Sequence, residues 1–105
     1  MSLNVVPSLA LGIDGVISVV SNEAPAETAR MAAAGLAGDF ESARALHYRL
    51  LDLMRANFVE SNPVPVKAAM ALLGRCSDRV RAPLGPATEK TRRTMAEALK
   101  KAGLR

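Results

Sequence analysis

From Asp39 onward, apolar residues recur at helical spacing. Phe40, Ala43, Leu46, His47, Leu50, Leu51, Met54 and Phe58 line one side of what this pattern predicts as the strongest helix of the chain, with Asp39 as its N-cap. Two prolines, Pro63 and Pro65, follow in the stretch Phe58-Val59-Glu60-Ser61-Asn62-Pro63-Val64-Pro65-Val66-Lys67. A residue before proline is biased away from the α region, so Asn62 and Val64 imply that the helix ends by about Val59. A new helix can start at once, because proline costs little in a first turn whose N–H groups have no intrahelical acceptor. The pattern places it over Val66 to Leu73, with Gly74 as the residue that stops it.

Before Asp39 the pattern is weaker. Met1 to Leu11 reads as a helix with no clear beginning, and Gly12-Ile13-Asp14-Gly15 as a turn. Val16 to Val20 is β-branched and apolar without alternation, the pattern of a strand buried on both faces of a parallel sheet. It has no pairing partner in this chain, so either partner strands come from elsewhere or the segment is not a strand in isolation. Pro25 opens a further helix with Glu27 in its first turn and an apolar stripe of Ala29, Ala32, Ala33 and Leu36, loosened at its end by Gly35 and Gly38. Beyond the polar, irregular run from Arg75 to Arg81, Pro83-Leu84-Gly85-Pro86 resets direction. A last helix runs from about Pro86 to Ala102, buried through Met95, Ala98, Leu99 and Ala102 and closed by Gly103 and Leu104 as a Schellman end.

At 105 residues the chain is at most one domain with a thin core. Abundant alanine and only three aromatic residues favour close-packed helices over a sheet sandwich. The formal net charge is +4 and sits at the end: Arg75, Arg79, Arg81, Lys90, Arg92, Arg93, Lys100, Lys101 and Arg105 face only Asp78, Glu89 and Glu97. With no aromatic residues among these charges for bases to stack on, the tail reads as a solvated helix face rather than a nucleic-acid binder. The lone Cys76 has no disulfide or CxxC partner, which points to a reducing, cytoplasmic setting. The apolar run Val5 to Val20 lacks a basic leader and is broken by Pro7, Gly12, Asp14 and Gly15, so it reads as neither signal peptide nor membrane span.

Few residues invite a chemical role. Gly12-x-x-Gly15 precedes its strand-like segment rather than following it, the wrong order for a dinucleotide fingerprint. His47 has no second histidine or carboxylate at ligand spacing and reads as a half-buried packing residue, so no metal site is expected. Cys76 lacks a base, and Ser18 and Ser21 lack a His/Asp set. A Schiff-base lysine needs surroundings that hold its amine unprotonated. Lys67, Lys90, Lys100 and Lys101 all lie on or beside surface-type helices, and Lys67 reads as a solvated or carbonyl-capping residue.

The decamer Phe58 to Lys67 resembles the FVE-x-NP-x-PVK signature of the dihydrodipicolinate synthase and N-acetylneuraminate lyase family. Gly12-x-x-Gly15-Val16-Ile17-Ser18-Val19 with Asn22 resembles that family's eighth barrel strand, GxxGVISVTAN, with Val20-Ser21 in place of the commoner Thr-Ala. Gly38-Asp39-Phe40 with Ala43-Arg44 and Leu50-Leu51, then Pro83-Leu84 with Pro86, and Ala98 to Leu104 resemble its closing helices. These matches run in order over nearly the whole chain.

The resemblance implies a mostly α product, the C-terminal fragment of a (β/α)8 TIM barrel. Residues 1–37 would be its last β/α unit and 38–105 the family's C-terminal helical region. It implies that Ile17 occupies the strand-eight position whose main chain borders the pyruvate Schiff base, the one substrate-binding residue carried over. The family's Schiff-base lysine, tyrosine and threonine precede the matched region, so no catalytic residue is expected here, and no cofactor. The implied parent reaction joins pyruvate to aspartate semialdehyde in lysine biosynthesis. The chain alone is then expected to be inactive, or to serve as a small helical module that associates with itself or with barrel-type relatives.

Overall fold

A computed structural model describes residues 2–105, so Met1, where the first predicted helix opens, lies outside the described residues. Every regular element among the described residues is helical. After a 3-10 turn at Ser2–Asn4 come α1 (Val5–Ala10), a second 3-10 turn at Val20–Asn22, α2 (Pro25–Leu36), α3 (Phe40–Ala56), α4 (Val64–Leu72) and α5 (Glu89–Lys101). The molecule measures 41 × 26 × 20 Å. The longest helix, α3, is central: α2 and α5 pack on it, α1 fills the angle between α2 and α3, and α4 lies against α5.

Local chemistry accounts for the boundaries. Asp39 caps α3 by accepting from the Ser42 N–H at 3.1 Å. The helix stops at Ala56, three residues earlier than the prolines require, and α4 opens at Val64 with Pro65 in its first turn. The last helix begins at Glu89 rather than Pro86, because Thr88 stands extended and its Oγ1 accepts from the Thr91 N–H at 3.1 Å. The ends of α4 and α5 are among those that match the Schellman pattern. Gly74 and Gly103 adopt φ of +71° and +74°, and the next N–H groups, of Arg75 and Leu104, reach back to Met70 and Leu99 at 2.9 Å.

The core is built on Met31, Leu50, Leu53, Met54, Met95 and Leu99, all fully buried. In α5 the four expected residues, Met95, Ala98, Leu99 and Ala102, are buried. In α3 the face is shifted: Leu53 joins the core, while Phe58 lies beyond the helix and is 53% exposed. The expected stripe of α2 is corrected outright, since Ala29, Ala33 and Leu36 face outward and Thr28, Met31 and Gly35 face inward. An alanine-rich helix is apolar on nearly every side, so periodicity does not choose a face. Met31, the largest apolar side chain of α2 to be fully buried, marks the face that packing chose.

Val16 to Val20, the strand-like run, forms no strand. Residues 13–18 have no regular structure, and Val20 begins a 3-10 turn. Among the described residues no other extended segment lies alongside, so the run has no ladder to join. Of the two outcomes the sequence allowed, this is the segment that is not a strand in isolation.

Candidate functional site

Ile17 sits at the crest of the irregular segment and is 95% exposed. A cleft of about 490 Å³ opens on one side of it, bounded by Ser8, Ile13 and Gly15. On the other side Ile17 and Ser18 face Phe58, Asn62 and Pro63 across a cleft of about 280 Å³. The first wall is held by short-range bonds. The Ser21 N–H donates to Ser18 Oγ at 3.1 Å, Ser21 Oγ donates to the Ser18 carbonyl at 2.8 Å, and Asn22 Nδ2 donates to the Val19 carbonyl at 3.0 Å. Ser18 and Ser21 are therefore turn partners, with hydroxyls committed to backbone geometry. The second wall is the connection between α3 and α4, whose Asn62–Pro63 peptide bond is cis.

Behind both walls lies a polar cluster. Glu23, the residue after the 3-10 turn, is fully buried, and Asn57, the C-cap of α3, donates to its Oε2 from Nδ2 at 3.0 Å. Arg75 reaches in from the loop after α4 and donates from Nη1 to the carbonyls of Asn22 at 3.1 Å and Glu23 at 2.7 Å. Burial pushes the Glu23 carboxyl up to about 7, against smaller opposing pulls from the Asn57 hydrogen bond and the Arg75 guanidinium. Sequence reading passed over this cluster, because nothing in the pattern around Ser21-Asn22-Glu23 marks Glu23 as interior. The one signal in the sequence was its position between the apolar Val20 and Ala24.

The remaining candidates are scattered. Lys67 donates to the Arg79 carbonyl, the carbonyl-capping role expected of it, beside a broad cleft of about 920 Å³ whose charged lining is Lys67, Arg79 and Arg81. Lys90, Lys100 and Lys101 are exposed, and Lys101 pairs with Asp52 at 3.2 Å. His47 is half-buried with its ring edge-on to Tyr48, centroids 5.4 Å apart. Cys76 is exposed. Among the described residues no three His, Cys, Asp or Glu side chains converge as metal ligands, and no helix is long and apolar enough to cross a membrane. The geometry brings Ile17 next to Phe58 and Asn62, and it brings no lysine or histidine to that cleft.

Residues 4–102 match the model of the dihydrodipicolinate synthetase family. The chain belongs to that family. It is 54% identical over 93 residues to the 4-hydroxy-tetrahydrodipicolinate synthase of Sorangium cellulosum, a match covering 89% of this chain and 31% of that protein. The dihydrodipicolinate synthase of Thermotoga maritima superposes with a TM-score of 0.95 at 44% identity, covering 99% of this chain and 35% of the solved one. The synthase of Acinetobacter baumannii, solved in complex with pyruvate, superposes equally well, with a TM-score of 0.95 at 36% identity over 99% of this chain and 36% of its own. The chain thus spans about a third of the length of the dihydrodipicolinate synthases it matches. What is present of the family is a helical fragment of its barrel, and its backbone follows the solved synthases closely although no strand ladder forms among the described residues.

Proposed function

We propose that this chain is the C-terminal portion of a pyruvate-dependent lyase of the 4-hydroxy-tetrahydrodipicolinate synthase type, bordering the substrate site without completing it. The observation that carries this reading is the mismatch of coverage, 99% of this chain against 35% of the solved synthase, at a TM-score of 0.95. On this reading residues 1–37 are the last β/α unit and 38–105 the helical region. The main chain at Ile17 borders bound pyruvate, and Phe58 and Asn62 form the facing wall. The parent reaction is condensation of pyruvate with aspartate semialdehyde through a lysine Schiff base, in the cytoplasm. The chain by itself catalyses nothing. Its lysines are exposed or half-buried, so they lack the desolvation that would hold an amine ready for attack on a ketone.

The test is to incubate the purified chain with pyruvate and borohydride, which reduces any imine to a stable secondary amine, and to weigh the product. An unchanged mass is expected. A reduced pyruvate adduct on Lys67, Lys90, Lys100 or Lys101 would overturn the reading.

A second reading, a helical module that binds itself or a barrel-type relative, is favoured by the exposure of Leu11 (88%), Ile17 (95%), Phe58 (53%) and Val59 (52%). Sedimentation over a hundredfold concentration range distinguishes the two, since a mass that does not change with concentration removes self-association.

A further inference from the structure

Among the described residues, buried side-chain atoms without a hydrogen-bond partner include Oε1 of Glu23 and Oδ1 of Asn57. These two belong to side chains already joined, through Asn57 Nδ2 and Glu23 Oε2 at 3.0 Å. Both residues are fully buried, where an unpaired acceptor is costly. A carboxylate offers acceptors only and cannot serve Asn57 Oδ1, whereas a neutral carboxylic acid has one donor. An acid facing a carboxamide can close a reciprocal pair in which each group donates once and accepts once. A single proton then satisfies both orphaned atoms.

We propose that Glu23 carries a proton in the folded chain, held on Oε1 and donated to Asn57 Oδ1, and that this acid–amide pair clasps the two walls of the Ile17 cleft and opens when the proton is lost. The placement supports a clasp. Glu23 follows the 3-10 turn Val20–Asn22, into which the irregular segment bearing Ile17 and Ser18 leads, and Asn57 immediately precedes Phe58 on the facing wall.

The surroundings favour retention of the proton. The charged group that acts on the Glu23 carboxyl is Arg75, whose guanidinium is engaged by the Asn22 and Glu23 carbonyls. On α2, Glu27 lies within ion-pair reach of Arg30 and of Arg49. On α3, Asp52 pairs with Lys101, Arg55 is exposed, and His47 stands ten residues from Asn57, about 15 Å along the helix. On α4, Lys67 is taken by the Arg79 carbonyl. Against the Asn57 hydrogen bond and the single charge of Arg75, burial prevails and holds the carboxyl near 7.

The folded-state value lies above the ordinary 4.5, so the clasp stabilises fully below that pH, weakens between 4.5 and about 7, and contributes nothing further above. The test compares the unmodified chain with Glu23→Gln, whose amide can form the same reciprocal pair but cannot ionise. Across that window the folding constant of the unmodified chain, relative to the variant, is expected to fall on the order of a hundredfold. In parallel, the Glu23 carboxyl carbon, followed by NMR, is expected to titrate near neutrality. A ratio that stays constant across the window overturns the proposal, and so does a carbon that titrates in the ordinary carboxylate range. Should Glu23→Gln fail to fold, the carbon titration of the unmodified chain decides alone.

Discussion

Arg49 Nε donates to the carbonyl of Ala102 at 2.8 Å, joining residues 53 positions apart. Ala102 is the C-cap of α5, and its carbonyl is one of those a helix end leaves without an intrahelical partner. The same guanidinium lies 3.8 Å from Glu27 Oε1, so one side chain of α3 reaches both α2 and α5. The two contacts differ in weight: the first is a part-buried, charge-assisted hydrogen bond, the second a long, partly exposed ion pair. Replacing Arg49 with Leu is therefore expected to cost about 1–2 kcal/mol, most of it from the bond to Ala102. Glu27→Gln is expected to cost less than about 0.5 kcal/mol. Urea denaturation of the two variants checks the ranking, and equal losses would mean that the ion pair carries the joint.

Gly35 lies where α2 meets α1. A Cβ there would stand 2.4 Å from Leu9 Cδ1 and 3.2 Å from Leu9 Cβ, so the buried Leu9 side chain would have to swing aside and its Cβ give slightly. Overpacking of this kind costs about 1–3 kcal/mol, against a gain of roughly 0.5–1 kcal/mol from removing a glycine inside a helix. Gly35→Ala should thus destabilise by about 1 kcal/mol in the unmodified chain, and should be neutral or stabilising beside Leu9→Ala. A double-mutant cycle measures this, and simple additivity would show that the two residues do not compete for the same space.

Thr88 caps α5 through its Oγ1, and Thr88→Ala is expected to cost about 1 kcal/mol, with Thr88→Ser recovering most of it. Loss of helix content confined to α5, read by amide exchange of residues 89–95, locates the effect. Protection lost evenly across α2 and α3 instead would argue against a local cap.

The same cap makes the fold sensitive to acid. Glu60 Oε2 accepts from the Thr88 N–H at 3.1 Å, and hydrogen bonds from the Thr91 side chain and the Thr88 backbone hold the Glu60 carboxyl below its usual range. Asp39 is lowered likewise by its bonds to Ser42. A depressed folded-state value means stability that is present above the unfolded carboxylate range and lost as pH falls through the folded one. The chain is expected to lose stability below about pH 4. Glu60→Gln and Asp39→Asn should each flatten part of that decline, as melting temperatures between pH 2.5 and 5 would register. A decline unchanged in both variants would place the acid sensitivity elsewhere.

Elements whose signals are local could be read from the residues themselves. Asp39 acts through its own side chain on the next turn and Gly103 through its own backbone, and Met95, Ala98, Leu99 and Ala102 stand out because the opposite side of α5 is charged. The order and spacing of the decamer Phe58 to Lys67 and the Gly12 to Asn22 segment carried the family, because they are contiguous in the chain. Three matters were decided only by tertiary structure. Which side of the alanine-rich α2 turns inward depends on the partner it meets, since its composition is apolar nearly all round. Val16 to Val20 has the residues of a strand, but a strand exists only where neighbouring backbone supplies its hydrogen bonds, and no segment among the described residues does so. Glu23 meets Asn57 34 positions away because packing of the α3 end against the 3-10 turn excludes water from both, and only that exclusion raises a surface-type carboxylate toward neutrality.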